Sequence, residues 1–390
     1  MQRSLTEINP LAVPDSTETS PGKPGNEAWF VGSNVFRKEA FGKHHPLSIP
    51  RQSGVLELSS LLGWLEHGDM VDCHAPGDEQ LCRFHDPLYL EILKQADRTG
   101  TISKPDREKT RIGTMENPLF SGLFERAATA VGGSIMAAEL ALEGGTAFHP
   151  AGGTHHGRPD RASGFCYFND PVFAIMTLLD GGLERVLYVD LDAHHGDGVQ
   201  DAFECEERVF TVSIHEKNRW PHTGPLEDRG AGQARNLPVP RGFNDEELAY
   251  LLDEAVLPLG ERFNPQGLVI TCGADGLAGD PLSKLELSNR GLWNAVQRLV
   301  ETSEHNVVLG GGGYNPWTVV RCWTGLWGSL SGRKIPDTLS AEAQALLRSF
   351  SCDLVDEEDV PAEWLTTLKD RPDKGEVSDE VRALPARVLS

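Results

Sequence analysis

The chain has 390 residues, of which 39% are hydrophobic and 24% charged, a composition typical of a globular protein with a large core. Its formal net charge of −22 argues against direct binding to nucleic acid and favours encounters with cationic peptides. The seven scattered cysteines form no CxxC pair, and there is neither a signal-peptide core nor an 18-residue apolar run, which predicts a reduced cytoplasmic protein without membrane contact.

Composition divides the chain into three segments. Residues 1–27 are rich in Pro, Ser, Thr, Gly and Glu, which predicts a disordered N-terminal arm. Because no similar linker and no internal repeat follows, we expect one folded domain over 28–335. Residues 336–390 are predicted to be an acidic, helical C-terminal extension, and we assign them no chemistry.

Within the domain, short apolar runs alternate with helical patterns. This alternation predicts an α/β fold with a central, mostly parallel sheet flanked by helices. Structure is expected to begin at 28–33, and further strands are predicted at 146–150, 185–191, 208–214, 267–272 and 306–310. Helices are predicted at 123–142, from an N-cap at Asp170 to Gly181, and at 244–262, 288–302 and 316–330.

Titratable side chains follow four of these predicted strands. Since ligands bind at the carboxyl ends of the strands in open α/β sheets, we expect these groups to meet at one edge. Taken singly, each motif is also compatible with a solvated loop or a turn, but their combination favours an active site. The groups, in chain order, are His155 and His156; Asp190, Asp192, His194 and Asp197; Asp275; and Tyr314.

The residue types predict metal-assisted hydrolysis. Two carboxylates and one imidazole, here Asp192, Asp275 and His194, suit a catalytic zinc with an open coordination position. Zinc lowers the pKa of bound water and polarises a carbonyl group. The imidazoles of His155 and His156 are candidates for the general base and acid near neutral pH.

Three further residues complete the predicted machinery. Asp190 and Asp197 are candidates for the carboxylates that fix the tautomers of the two histidines. The tetrahedral intermediate also needs a hydrogen-bond donor besides the metal, and Tyr314 in its glycine loop can supply it.

These motifs resemble the histone deacetylase superfamily, and more closely its bacterial acetoin-utilisation type. The resemblance extends over about 28–330 and implies the arginase-like fold, with one domain and the active site at the carboxyl ends of the strands. It is carried by HHPLSIPR (44–51), FHDPLYL (84–90), ENPLFSGLFE (116–125), GGTHHGRPDRASGFCYFND (152–170), VDLDAHHGDGVQDAF (189–203), TVSIHE (211–216), CGADGLAGDPL (272–282) and GGGGYN (310–315).

The resemblance implies the same zinc ligands, histidine pair, carboxylate partners and tyrosine. It also implies an apolar tunnel for the substrate stem, including Gly164 and Phe165 of the SGF motif and Leu282 of DPL. Trp220 takes the place of a family phenylalanine, which puts the tunnel width in question. Arg51 matches an internal arginine at the foot of an acetate-release channel, with a surface salt bridge as the alternative.

Two other sites follow from the resemblance. Asp106 matches a rim aspartate that binds the substrate backbone. A structural potassium or sodium ion is expected beside the zinc, with Asp190, Asp192, His194, Ser213 and Ile214 as its ligands. A cation next to Asp190 would hold His155 neutral, so we expect His156 to protonate the leaving amine and His155 to act electrostatically.

We therefore predict a zinc-dependent enzyme that hydrolyses an N-acyl amine, namely N6-acetyl-lysine in a protein, and releases acetate. One alternative is an acetylpolyamine amidohydrolase, although Leu282 stands where polyamine-selective relatives tend to place a carboxylate. A binuclear manganese ureohydrolase is disfavoured because the doubled aspartate ligands are missing, and a non-catalytic acyl-lysine binder because the full catalytic set is present. Oligomeric state stays open.

Overall fold

A parallel sheet of eight strands forms the centre of the molecule. The computed structural model describes residues 27–42, 44–66, 69–372 and 375–390, so the predicted N-terminal arm lies outside the described residues except for Glu27. The strands are β1 (Ala28–Gly32), β2 (Met70–Asp72), β3 (Gly145–His149), β4 (Val186–Asp190), β5 (Val209–Glu216), β6 (Ala234–Val239), β7 (Gly267–Thr271) and β8 (His305–Leu309). Their order is β2-β1-β3-β8-β7-β4-β5-β6.

Helices cover both faces of the sheet. Alternate residues of β4 point to opposite sides, because side chains alternate along a strand: Leu187 and Val189 join one core cluster, Val186 and Tyr188 the other. The α-helices are α1 (Arg51–Leu61), α2 (Asp78–Leu81), α3 (Pro87–Thr99), α4 (Lys104–Thr110), α5 (Leu123–Leu142), α6 (Asp170–Asp180), α7 (Asp197–Phe203), α8 (Asp245–Leu251), α9 (Leu257–Phe263), α10 (Asn289–Val300), α11 (Pro316–Leu330), α12 (Ala341–Arg348), α13 (Asp379–Arg382) and α14 (Leu384–Val388).

The five strands predicted between β3 and β8 are confirmed and are neighbours in the sheet. The consecutive order β3-β8-β7-β4-β5 brings their carboxyl ends to one edge. The sequence did not reveal β2, which has only three residues, or β6, which contains Pro238. A proline is tolerated there because β6 is an edge strand.

The predicted helices are confirmed with two corrections of detail. The helix expected over 244–262 is divided into α8 and α9 by a π-helical turn at Leu252–Val256. Pro258 has no N–H to donate to the carbonyl of Glu254, and the π-turn accommodates this break. The N-cap of α6 is Asn169 rather than Asp170, as described below. In the described part of the chain, no helix is both long and apolar enough to cross a bilayer.

The C-terminal segment packs into the same core as the rest of the domain. Leu347, Leu368 and Val388 are fully buried against the face that carries α10 and α11. Arg321 of α11, also fully buried, pairs with Asp370 at 2.6 Å. Because a buried cation requires such a partner, residues beyond 336 are an integral part of the domain.

Candidate active site

The loop after β3 that carries the two histidines is held by the start of α6. The carboxylate of Asp170 accepts hydrogen bonds from the backbone N–H of Gly153 (2.9 Å) and Thr154 (2.7 Å). It cannot also cap its own helix, and the side chain of Asn169 does so by accepting from the N–H of Val172. Asp170 is therefore a loop anchor rather than an N-cap.

The two histidines each contact the carboxylate expected for them. His155 Nδ1 lies 2.7 Å from Asp190 Oδ2, and His156 Nδ1 lies 2.7 Å from Asp197 Oδ1. Since a carboxylate accepts the proton of Nδ1, Nε2 is the free basic atom of each neutral ring. The structure thus brings together two histidine–aspartate pairs, with ring centroids 3.9 Å apart.

The environments of the two carboxylates differ in a way that the sequence did not show. Asp190 Oδ2 also accepts from the hydroxyl of Tyr188 at 2.7 Å. Asp197 Oδ2 accepts from Arg158, whose other arm binds Asp201. The guanidinium of Arg158 therefore shares the charge of Asp197, a contact that the sequence did not predict.

The charges of the protein affect the two imidazoles in opposite directions. Burial opposes protonation of His155, but the carboxylates of Asp190 and Asp192 outweigh it and raise its pKa to about 9. Burial, reinforced by the charge of His155, lowers the pKa of His156 to about 3. A neutral His155 would require cations beside these carboxylates, so this expectation stays a prediction.

Asp192, His194 and Asp275 form a buried cluster beyond the ends of β4 and β7. His194 Nδ1 lies 3.2 Å from Asp192 Oδ1 and 2.9 Å from Asp275 Oδ2, and one ligand atom from each residue lies within 4.8 Å of the others. Donor atoms of a tetrahedral zinc site, about 2.0–2.2 Å from the ion, are roughly 3.3 Å apart. The three donors therefore fit a zinc ion with little adjustment.

The electrostatics of the cluster also fit a cation. Burial together with the charge of Asp192 raises the pKa of Asp275. Burial opposes protonation of His194, but its hydrogen bonds to Asp192 and Asp275 raise its pKa to about 10. Two carboxylates removed from water around one imidazole carry excess negative charge, which a divalent ion would neutralise.

Glycines allow the loop after β8 to pass directly behind this cluster. The N–H of Gly312 donates to Asp192 Oδ2 at 2.6 Å, and a Cβ at Gly312 would collide with Asp275. Gly311 and Gly313 have φ values of 141° and 134°, in the region that favours glycine. The GGGG run therefore donates a hydrogen bond to Asp192 and leaves room for the side chain of Asp275.

Tyr314 ends this loop beside the cluster. Its ring centroid lies 6.4 Å from that of His194, and its backbone N–H donates to Asp280 Oδ2 at 2.7 Å. Among the described residues its hydroxyl makes no hydrogen bond, so it is available to a ligand. The positioning role of Asp280 was not predicted, although the residue lies in the DPL motif.

Aromatic rings flank the approach to the cluster. Phe165 packs edge-on to Tyr314, with centroids 5.8 Å apart, and Trp220 packs edge-on to His156 at 4.7 Å. Gly164 has a positive φ of 54°, and a Cβ there would collide with the ring of Trp220. These contacts place three of the predicted tunnel residues around His156 and Tyr314.

The rim of the tunnel includes residues that the sequence analysis missed. The backbone N–H of Gly164 donates to Glu116 Oε1 at 2.9 Å, and that of Phe165 to Asn117 Oδ1 at 3.0 Å. The predicted rim residue Asp106 accepts from the hydroxyl of Ser103 at the start of α4, at 2.6 Å, and its contact with the substrate stays a prediction. The carboxylate in contact with the tunnel loop is thus that of Glu116, and ENPLF was the available sequence signal.

The structure places three other predicted site residues, Leu282, Ser213 and Ile214, next to Asp280 or in the strand beside Asp190. The backbone N–H of Leu282 donates to Asp280 at 2.9 Å, and its side chain is half-buried. Ser213 pairs with Asp190 across β4 and β5 and is followed by the buried Ile214. The expected cation ligands therefore lie on adjacent strands, at the end of β4 and within β5.

Arg51 is the first residue of α1 and is almost completely buried. One of its Nη atoms donates to the carbonyl of Gly311, and its guanidinium lies 5.0 Å from the ring centre of Trp323. These contacts contradict the alternative of a surface salt bridge. The side chain lines an internal cavity behind the metal cluster.

Comparison with known proteins agrees with this geometry. The profile of the histone deacetylase domain matches residues 45–330, which include the cluster, the histidine pair and Tyr314. The chain belongs to the histone deacetylase family. The crystal structure of a histone deacetylase homologue from Aquifex aeolicus matches with a TM-score of 0.89 and 37% identity, covering 93% of this chain and 100% of that chain. The structure of a histone deacetylase homologue complexed with SAHA matches with the same values.

Named relatives of this deacetylase are similar over most of the chain. Histone deacetylase 8 of Xenopus tropicalis is 34% identical over 303 residues, which cover 75% of this chain and 80% of the relative. Histone deacetylase 1 of Homo sapiens is 35% identical over 292 residues, or 73% of this chain and 60% of the relative. The predicted family, the arginase-like fold and the activity of a hydrolase on acetylated amides are confirmed. The acetoin-utilisation subtype stays a prediction.

We predict that Asp275→Ala removes the bound divalent metal and abolishes turnover, because the deacetylase loses one of three ligands. Metal content by elemental analysis and acetate release should fall together. Asp337→Ala, at a side chain that is 95% exposed, is the matched control and should change neither. Full activity of the protein after removal of its metal would contradict the metal assignment.

Proposed function

We propose that this histone deacetylase is a zinc enzyme that hydrolyses N6-acetyl-lysine in a peptide or protein to lysine and acetate. The observation that carries the proposal is the convergence, in one buried site, of three zinc-type ligands, two histidine–aspartate pairs and a tyrosine hydroxyl. When bound, zinc would lower the pKa of water and polarise the acyl carbonyl.

The residues of the chain then have distinct tasks. His156 takes the proton of the attacking water at Nε2 and returns it to the amine nitrogen as the C–N bond breaks. Tyr314 donates its hydroxyl hydrogen to the carbonyl oxygen as negative charge develops there. Asp197 holds the ring of His156 through Nδ1.

His155 is assigned an electrostatic role because of its position. Its Nε2 lies 3.8 Å from Asp192 Oδ1, so it faces the metal ligands, whereas His156 packs against Trp220 on the side of the tunnel. The leaving amine departs through the tunnel. His156 is therefore the better placed of the two to protonate it.

The tunnel walls favour a lysine side chain over a polyamine. Phe165, Trp220 and Leu282 supply apolar surface, which suits the methylene stem of acyl-lysine. Desolvating the second ammonium group of a polyamine next to these residues would be unfavourable. At the rim, we propose that Asp106 contacts the backbone of the substrate, and at the inner end that Arg51 contacts the acetate product.

A structural potassium or sodium ion is proposed beside the zinc. Its ligands would be Asp190 at the end of β4, Asp192 and His194 just after it, and Ser213 and Ile214 within the adjacent β5. Its positive charge would oppose protonation of His155, the partner of Asp190. We also propose a cytoplasmic location, which the seven free cysteines support because disulfides are rare in that compartment.

An acetate-release assay tests this function. The enzyme should hydrolyse an acetyl-lysine peptide, should lose this activity with a chelator and regain it with zinc, and should act poorly on N-acetylputrescine. A preference for N-acetylputrescine would instead indicate an acetylpolyamine amidohydrolase. Binding of the peptide without acetate release would indicate a non-catalytic binder.

Replacing Tyr314 by phenylalanine should lower kcat by roughly 10²–10³, because one oxyanion donor is lost. The KM should change little, since the ring still packs against Phe165. The matched control is Tyr250→Phe, which removes a hydroxyl that contacts the carbonyl of Arg382 at the surface. A kcat close to that of the wild type would show that Tyr314 only packs.

Alanine at His156 should reduce kcat/KM at least about tenfold more than alanine at His155, a difference of roughly 1.4 kcal/mol in barrier height. The physical reason is that His156 transfers the proton and His155 only stabilises charge. His74→Ala, at an exposed side chain, controls for loss of an imidazole in general. The reverse order of the two variants would refute the assignment of the proton donor and leave the metal site unaffected.

A further inference from the structure

Two arginines border the internal cavity behind the metal cluster. The cavity has a volume of about 80 Å³, is partly open, and is lined by Arg51 and Arg126, with Phe36, Phe165, Gly152 and Gly311 among its other walls. The two arginines also line the larger groove next to it. A Cβ at Gly311 would lie 2.9 Å from Asp192 Oδ2, so this wall of the cavity adjoins a predicted zinc ligand. A substituent on the acyl carbon is therefore close to the cavity.

Arg51 has unused hydrogen-bonding capacity. Its side chain is only 8% exposed, and one Nη donates to the carbonyl of Gly311. Its Nε is buried and has no hydrogen-bond partner among the residues that the structure describes. Since buried polar groups are nearly always hydrogen-bonded, this N–H suits an acceptor on a ligand.

The hydrogen-bond partners of the Arg126 guanidinium are uncharged carbonyl and amide oxygens. Its Nη1 donates to the carbonyls of Val35 and Lys38, both at 3.3 Å, and its Nη2 donates to Gln52 Oε1 at 3.2 Å. Within the described ranges, neither Arg126 nor Arg51 forms an ion pair with a carboxylate. The two side chains thus carry positive charge to the cavity without a direct ion pair, and the carboxylates that act on Arg51 from a greater distance are those of Asp275, Asp192 and Asp280.

Arg126 is cationic near neutral pH. Burial and, next, the positive charge of Arg51 lower the pKa of Arg126 to about 10, which still leaves it protonated. Holding two cations that lack ion pairs close together and away from water is unfavourable. A carboxylate would satisfy both charges with charge-assisted hydrogen bonds.

The size of the cavity limits the anion. It has about half the volume of a ~150 Å³ cavity that binds benzene, so it accommodates a carboxylate group. An alkyl group of the same length would leave the Nε of Arg51 unpaired. The cavity therefore favours a short acyl chain that ends in a negative charge.

We propose that Arg51 and Arg126 bind the terminal carboxylate of a short dicarboxylic acyl group, so that this enzyme also hydrolyses succinyl-lysine and similar acyl-lysines. The inference rests on the proposed function and uses the same reaction. The oxygen of water bonds to the acyl carbon, the C–N bond breaks, and a proton from water goes to the amine nitrogen. The products are a dicarboxylate and the free lysine amine.

Three versions of one peptide test the proposal, carrying acetyl-, butyryl- or succinyl-lysine. Butyryl has the four-carbon length of succinyl without the charge, so the comparison isolates the carboxylate. For the wild type, kcat/KM for succinyl should exceed that for butyryl at least about tenfold, the lower end of the effect of one charge-assisted hydrogen bond. Hydrolysis of acetyl-lysine without hydrolysis of succinyl-lysine would overturn the inference and leave the proposed function intact.

Two variants test the role of the arginines. Arg126→Gln should lower kcat/KM for succinyl at least about tenfold and for acetyl less than about threefold. Gln52→Glu keeps the shape of the side chain but gives Arg126 a carboxylate partner, so it should have the same selective effect even if Arg126→Gln fails to fold. Arg98→Gln, at an exposed helix position, is the control and should change neither rate.

Other outcomes contradict the proposal in distinguishable ways. Equal decreases in kcat/KM for the acetyl-lysine and succinyl-lysine peptides in both variants would show that Arg126 only supports the fold. An unchanged succinyl rate in Gln52→Glu would show that no anion binds next to Arg126. If none of the three wild-type peptides is cleaved, the proposed function and this inference are both wrong.

Discussion

The excess of negative charge between β4 and β7 is the constraint on which the site depends. Asp192 and Asp275 are both removed from water and face one imidazole, that of His194. Neighbouring strands lie about 4.8 Å apart, so residues just beyond the ends of two adjacent strands reach a common point. A divalent cation at that point turns a destabilising concentration of charge into a metal site.

Much of the surrounding structure holds this arrangement in place. The N–H of Gly312 and that of Ala193 donate to Asp192 and Asp275, so the carboxylates are oriented by backbone as well as by His194. Such outer contacts fix the ligand geometry and are part of the affinity for metal. Asp170 performs the same task for the histidine loop, at the cost of its role as a helix cap.

Local patterns in the sequence were sufficient for the strand ends and the site chemistry. The strands are short apolar runs, and the site residues lie at or soon after their ends: Asp190 is the last residue of β4, and Tyr314 comes five residues after β8. The N-cap of α11 could also be predicted from neighbouring residues, because the side chain of Asn315 accepts hydrogen bonds from backbone N–H groups two and three residues later. Motif resemblance then supplied the family, which the comparisons confirm.

The features that the sequence did not show depend on contacts between distant segments. Arg158 reaches Asp197 across 39 positions, and Glu116 reaches the N–H of Gly164 across 48. No local pattern encodes such pairs, because either side chain could equally well be solvated. The helix α1 was missed for a related reason: it packs on α11, a partner that only the folded chain provides. The helix α3 was missed although Asp86, Pro87 and Gly100 mark its two ends in the sequence.

The most direct test of the central claim is to locate the metal. Anomalous diffraction at the zinc edge, from crystals of the active enzyme, should show one strong peak per chain, about 2.0–2.2 Å from Asp192, His194 and Asp275. Zinc measured in the same preparation should be close to one ion per chain. An active enzyme without a peak at these three residues would contradict the account.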